Sequence, residues 1–434
     1  MDDVATPFDL KIETKLKTVS TAEDGRFSSL VIAAGLNPTK DFRCLNLSGA
    51  DFTGSDVRGY DFTGADLSGS VWTSAVYDGS TIFEGACLDH AVGLDLPLPE
   101  PQQRQTRAQS VSRDQQFETR SRRRQGHQTT LGERATVSGI GVHSGLPVSL
   151  TLHPADAGTG VVFVRLDAEG RPEREIRAHA RYVTATELAT VLGDDEHGPC
   201  ISTIEHVMAT LCGLGVDNAI IEIDGPEAPI MDGSAAAFVA AIDQAGIVAL
   251  PELRRYTKVL KPIRVQKGDA YGELMPYDRG FRVDIAIDFA HPLIGQQSIA
   301  LEVEPTTFRR EVARARTFGF MKDVSKLWSA GYALGASLQN TLIVADDRLL
   351  NPEGLRYPDE FVRHKALNAI GDLALAGAPL LCAYKSLRGG HKLNHVVLSA
   401  LFADPTAWTV VEAQESPSTE RSYSGVTAGT LKPA

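Results

Sequence analysis

FVRHKALNAIGDLALA, residues 361–376, carries His364, Asn368 and Asp372 at helical spacing. Positions i, i+4 and i+8 of an α-helix stack on one side, so the three polar heads converge on one spot. Around them stand Phe361, Ala366, Leu367, Ile370 and Leu373, the residues of a core helix, where a polar stripe has no packing reason to exist. A metal site or an acid–base relay supplies that reason. A second helical run, STIEHVMATL at 202–211, sets Glu205 beside His206. Two histidines and a carboxylate next to one of them are the parts of a mononuclear zinc hydrolase. Taken alone, each has a plainer reading: Glu205 caps its helix and His206 packs in the core.

Outward from this helix the texture is that of a folded α+β body beginning near residue 127. Strand-like runs (VSLTLHPA, GVVFVRLD, NAIIEIDG, FRVDIAIDF, SIALEVEP) mix with helical ones (TIEHVMATLCGL, SAAAFVAAIDQAGI, TTFRREVARA). They lack the strict βαβ alternation of a doubly wound sheet. PELRRYTKVLKPIRV, near 251–265, reads as a hinge between a first half, 127–252, and a second, 253–415, with a tail at 416–434.

Ahead of this body, residues 45–89 repeat every five: LNLSG, ADFTG, SDVRG, YDFTG, ADLSG, SVWTS, AVYDG, STIFE, GACLD. The third positions, Leu47, Phe52, Val57, Phe62, Leu67, Trp72, Tyr77, Ile82 and Cys87, are expected to point inward, often with a small residue two places earlier. This segment, 45–92, resembles the pentapeptide-repeat family, which implies a short right-handed β-solenoid with about four repeats per turn. GRFSSLVIAAGLNPTKDFR predicts a short helix ending near Gly35, part of an N-terminal cap over 1–44. Between repeat and body, 93–126 is rich in Gln, Arg and Ser and predicts a disordered linker. Its arginines (Arg104, Arg107, Arg113, Arg120, Arg122, Arg123, Arg124) read as those of a solvated tether.

Composition narrows the class. With 43% hydrophobic and 23% charged residues and a net charge of −12, the chain reads as a soluble globular protein with no general reason to invoke nucleic acid. No apolar run is long enough for a transmembrane segment, and MDDVATPFDLKIETK lacks a secretory signal pattern. The five cysteines (Cys44, Cys87, Cys200, Cys212, Cys382) are scattered and never spaced CxxC, which predicts reduced thiols in a cytoplasm and no cysteine-ligated zinc.

Six motifs occur in order: GIGVHSG (139–145), STIEH (202–206), APIMDGSAAAF (228–238), RARTFGFMKD (314–323), EFVRHKALNAIGD (360–372) and RGGHKLNH (388–395). Together, over about 127–415, they resemble the UDP-3-O-acyl-N-acetylglucosamine deacetylases, zinc enzymes of lipid A synthesis. The resemblance implies two α+β layered sandwich domains packed face to face, with Zn²⁺ in the cleft and an acyl-chain passage beside it. It implies His206, His364 and the residue at 368 as metal ligands and Glu205 as general base. His391 would be the general acid, oriented by Asp372. Thr317 would bind the reacting acetyl oxygen. Phe318 and Asp323 would lie on the nucleotide side, while Lys365 and Arg388 would meet the diphosphate. His143 would stand near the passage, with Leu188 and Ala189 close to its lining. Outside the family pattern, Lys365 and Arg388 read equally as surface charge and His391 as an exposed residue of a Gly-rich turn.

One position departs from the pattern. The residue four after the second histidine is an aspartate in the family and Asn368 here. An amide oxygen is neutral and a weaker zinc donor than a carboxylate. Two functions therefore stand side by side. One is zinc-dependent removal of acetate from a UDP-linked acyl-glucosamine. The other is a catalytically impaired paralogue that binds substrate or regulates, with the repeat segment as the surface for a protein partner.

Overall fold

The computed structural model describes residues 26–33, most of 37–94, 126–193 and 198–413. The bulk of the expected linker (95–125) and the expected tail fall outside the described residues, as do residues 1–25.

The first half is built on a five-stranded sheet in the order Ala135–Ile140, Pro147–Pro154, Ala219–Ile223, Val161–Leu166, Pro172–Arg177. Only the Ala219–Ile223 and Val161–Leu166 pair is parallel. In PVSLTLHP the alternation decides the faces: Val148, Leu150 and Leu152 are buried, while Ser149 and Thr151 turn outward to bond Ser138 and Thr136. The second half holds a seven-stranded sheet. Its centre is Leu380–Leu387, flanked by Ala270–Pro276 (antiparallel) and Phe281–Phe289 (parallel). Phe281, Val283, Ile285 and Ile287 make its buried face by the same two-residue period. The chain is thus mixed α+β with several sheets.

The expected hinge is strand instead. Ile247–Leu253 pairs with His127–Leu131, and Arg255–Val259 joins the second sheet directly. Leu253 and Arg255 flank a single residue, Arg254, whose guanidinium is held by Asp217 at 2.8 Å.

Five helices position the site and the repeat segment: α1 (Phe27–Ala33), α2 (Glu205–Leu214), α3 (Ala236–Ala245), α4 (Glu360–Leu373) and α5 (His391–Ala403). α4 is buried nearly all round, packed on α2, on α5 and on the strands Phe281–Phe289 and Gly295–Glu302. Gly371 is where α2 and α4 touch backbone to backbone, since a methyl group there would overlap the carbonyl of Glu205. Gly371→Ala is therefore an overpacking change, expected to cost about 1–3 kcal/mol of stability. A fall in the denaturant midpoint checks it. An unchanged midpoint would mean that the helices separate freely.

The repeat segment has its own core, separate from that of the body. Phe52, Val57, Phe62, Leu67 and Trp72 are fully buried, with Ser55, Ala65 and Ser70 beneath them. Parallel bridges join Asp51 to Val71 and Asp56 to Val76, twenty residues on. The next bridges, Asp61 to Ile82 and Val71 to Val92, span twenty-one. One extra residue at the Asp78–Ser80 turn shifts the frame. Ile82 is 43% exposed and Cys87 is exposed, contrary to expectation. Phe83 takes the inward position instead, stacked on Phe62 at 5.6 Å, and Leu88 packs on the same core.

Candidate functional site

α2 and α4 bring His206 and His364 together, their rings 5.1 Å apart and nearly perpendicular, each 3% exposed. Burial holds both neutral: His206 is lowered to about 4, and His364 falls well below its ordinary value. Nδ1 of His364 lies 3.0 Å from the carbonyl oxygen of Ala315. A carbonyl can only accept, so this nitrogen carries the proton and Nε2 keeps its lone pair. Asn368, one turn on, donates its Nδ2 toward that Nε2 at 3.3 Å. Nδ1 of His206 is buried without a hydrogen-bond partner.

Beside the imidazoles stands an acid–base cluster. Asp372 sits one turn beyond Asn368, 2% exposed, 2.9 Å from Nδ1 of His391 at the start of α5. Nε2 of His391 faces Glu205 at 3.8 Å. Burial opposes an imidazolium at 391, but the carboxylates of Asp372 and Glu205 outweigh it and raise its pKa. Glu205 is raised chiefly by burial, the His391 charge working against it. Burial alone would raise Asp372 as well. The His391 charge and bonds from His391, Asn394 and Thr190 hold it low instead. The site therefore sets a reluctant carboxylate opposite a ready imidazolium, the division of labour of a base and an acid.

The remaining expected residues are distributed unevenly. Thr317 comes two residues after Ala315 and is fixed by bonds from its N–H to Gly233 and from Leu342 to its carbonyl. Arg316 between them is buried against Glu360, the first residue of α4, with Nε to Oε1 at 2.9 Å, which ties this segment to α4. Phe318 packs edge-on to Phe361, with the Lys365 ammonium 5.6 Å from its ring. Burial lowers the pKa of Lys365, against the pull of Asp372 and Glu205. The residue as a whole is half-buried. His143 is half-buried with Ala333 donating to its Nδ1 at 3.4 Å, on a loop whose N–H groups are held by Glu227. Leu188 is 44% exposed at φ 68° and Ala189 is buried. Asp323 is exposed. The guanidinium of Arg388 is engaged by Asp288 at 2.6 Å and Asp269 at 3.3 Å, so a diphosphate would have to compete for it.

A family model described as UDP-3-O-acyl N-acetylglycosamine deacetylase matches residues 128–403, and one of pentapeptide repeats matches 41–70. UDP-3-O-acyl-N-acetylglucosamine deacetylases of Brucella ovis and Brucella canis are each 50% identical over 288 residues, 66% of this chain and 99% of theirs. That of Brucella melitensis is 49% identical over the same span. The chain belongs to this deacetylase family.

Sequence reasoning missed several polar residues of the cluster. Asn394 donates to Asp372 Oδ2 at 2.8 Å and accepts from Tyr384 at 2.7 Å. It lies three after His391 on α5, a spacing that could have flagged it. Thr190, which bonds Asp372, comes from a loop and carries no periodic signal.

The deacetylase family implies a metal ion. Among the described residues no three His, Cys, Asp or Glu side chains are gathered for one. The donor set nevertheless fits a cation: two imidazoles kept neutral by burial, one with an unpartnered buried nitrogen.

Proposed function

We propose that this chain removes the N-acetyl group of a UDP-3-O-acyl-N-acetylglucosamine as acetate, with zinc, in lipid A biosynthesis in the cytoplasm. What carries the reading is the opposition of Glu205 and the Asp372–His391 pair across 3.8 Å, beside two neutral imidazoles. His206, His364 and the amide oxygen of Asn368 would hold the metal, which when bound polarises the acetyl carbonyl and acidifies water. Glu205 accepts the proton of the attacking water. His391, charged through Asp372, passes a proton to the leaving glucosamine nitrogen. Thr317 binds the acetyl oxygen, and Lys365 adds positive charge near the cluster. Phe318, Asp323 and Arg388 serve the nucleotide side, and His143 and Leu188 the acyl side. The body divides into sandwich domains at 127–252 and 253–415.

Acetate release measured against pH tests this reading. The acid limb should follow Glu205, raised above the usual 4.5 of a glutamate, because the base is lost as pH falls through that raised value. The alkaline limb should follow His391 above 6.5, because the acid is lost as pH rises through it. A bell shape supports the assignment. A flat profile with turnover would remove both residues from the chemistry.

The Asn368 amide turned to the Nε2 of His364 favours a second reading, a catalytically impaired paralogue that binds substrate or regulates. In both readings the repeats form a short right-handed β-solenoid, capped by the segment that contains α1, whose outer face meets a protein partner. Its bridges every twenty or twenty-one residues support that form.

A further inference from the structure

Thr190 is 1% exposed, and both of its hydrogen-bond donors are committed to the site. Its backbone N–H donates to Glu205 Oε2 at 3.1 Å. Its hydroxyl donates to Asp372 Oδ1 at 2.6 Å and lies 3.4 Å from Nδ1 of His391. Glu205 and Thr190 come from the first half of the body, Asp372 and His391 from the second. One residue thus bonds a carboxylate from each half.

The chemistry of the pair makes this bond more than packing. Asp372 has to stay charged and fixed for His391 to hold its proton. Its two oxygens are met by Thr190 on one side and Asn394 on the other. These two donors orient the carboxylate, whose Oδ2 and Oδ1 lie 2.9 and 3.1 Å from Nδ1 of His391. Nε2 is then left facing Glu205. The loop that delivers Thr190 carries backbone strain two residues earlier, at Leu188 with φ 68°, a conformation kept where surrounding contacts impose it.

We infer that Thr190 is a positioning residue: its hydroxyl fixes Asp372, and through it His391, against the carboxylate of Glu205 held by its own N–H. The kinetic part of this inference rests on the deacetylase reading; the geometric part does not. Two variants separate the hydroxyl from the shape. Thr190→Val keeps the volume and loses the donor, whereas Thr190→Ser keeps the donor.

The test follows kcat and KM for acetate release together with the low-field imidazole proton of His391, assigned by its absence in His391→Gln. Thr190→Val is expected to lower kcat roughly ten- to a hundredfold, as loss of an orienting partner does, with KM unchanged. The His391 proton should move upfield or vanish. Thr190→Ser should restore both. A Thr190→Val protein with the kcat and imidazole proton of the unmodified chain overturns the inference. So does one in which Ser fails to rescue while both variants unfold early, since that marks packing alone. If the unmodified chain itself releases no acetate, the deacetylase reading fails, and the imidazole proton still decides the role of Thr190.

Discussion

Asn368→Asp should convert a weak metal site into a strong one. The substitution returns a negative charge and a carboxylate donor one helical turn from His364, inside a pocket where both imidazoles are already neutral. Loss of an outer partner costs roughly 10–100-fold in metal affinity, and a directly bound charge should be worth at least as much. The present amide also opposes the metal, because its Nδ2 faces the lone pair on Nε2 of His364 that a cation would use. Zinc would have to turn that amide over before binding, whereas a carboxylate at this position presents acceptors only. Zinc retained per chain after dialysis against graded chelator measures the gain, and acetate release measured beside it shows what the metal brings. A variant that holds zinc no better than the unmodified chain would mean that the amide oxygen is an adequate ligand. Zinc and turnover that appear only with the aspartate would establish the impaired paralogue.

Glu205→Gln should nearly abolish turnover while leaving the fold intact. A general base contributes about 10²–10⁴-fold, and no other described carboxylate faces Nε2 of His391 as closely. The amide keeps the shape and can still accept the N–H of Thr190. Zinc content should be unchanged, since Glu205 is not among the proposed ligands. Stability should move the other way. The folded state raises the pKa of Glu205, so it binds this proton more tightly than the unfolded chain, and stability drains away as pH rises through the raised value. At neutral pH the ionised Glu205 is therefore a burden that glutamine lifts, and the unfolding midpoint should not fall. Full kcat in this variant, or a midpoint far below that of the unmodified chain, would sink the assignment.

How much of this was legible depends on where each residue sits. His364, Asn368 and Asp372 were readable because helical period alone gathers them, and Glu205 and His206 because they are neighbours in a helix. Strands such as Pro147–Pro154 announced their faces by alternation. Thr190 was silent: it lies in a loop, and its bond to Asp372 spans 182 residues, which no local period encodes. The failure at Ile82 and Cys87 has a different cause. One extra residue near Asp78 moves every later position by one, and a strict count of five carries the error forward. Small residues at Thr81 and Ala86 mark the true frame, two places before the inward-facing Phe83 and Leu88. The strands on either side of Arg254 were missed because a short polar connection and a paired strand look alike when the partner strand is distant in sequence.

The meeting of Glu205 with Gly371, and of Thr190 with Asp372, bears on how such chains recombine. A crossover near residue 253 would join a base from one parent to an acid from another without disturbing either sheet. The chimera would inherit two well-formed halves and still depend on whether the second parent keeps glycine at 371 and the first a hydroxyl at 190. The fit of the Glu205–Gly371 and Thr190–Asp372 contacts would then decide whether such a chimera works.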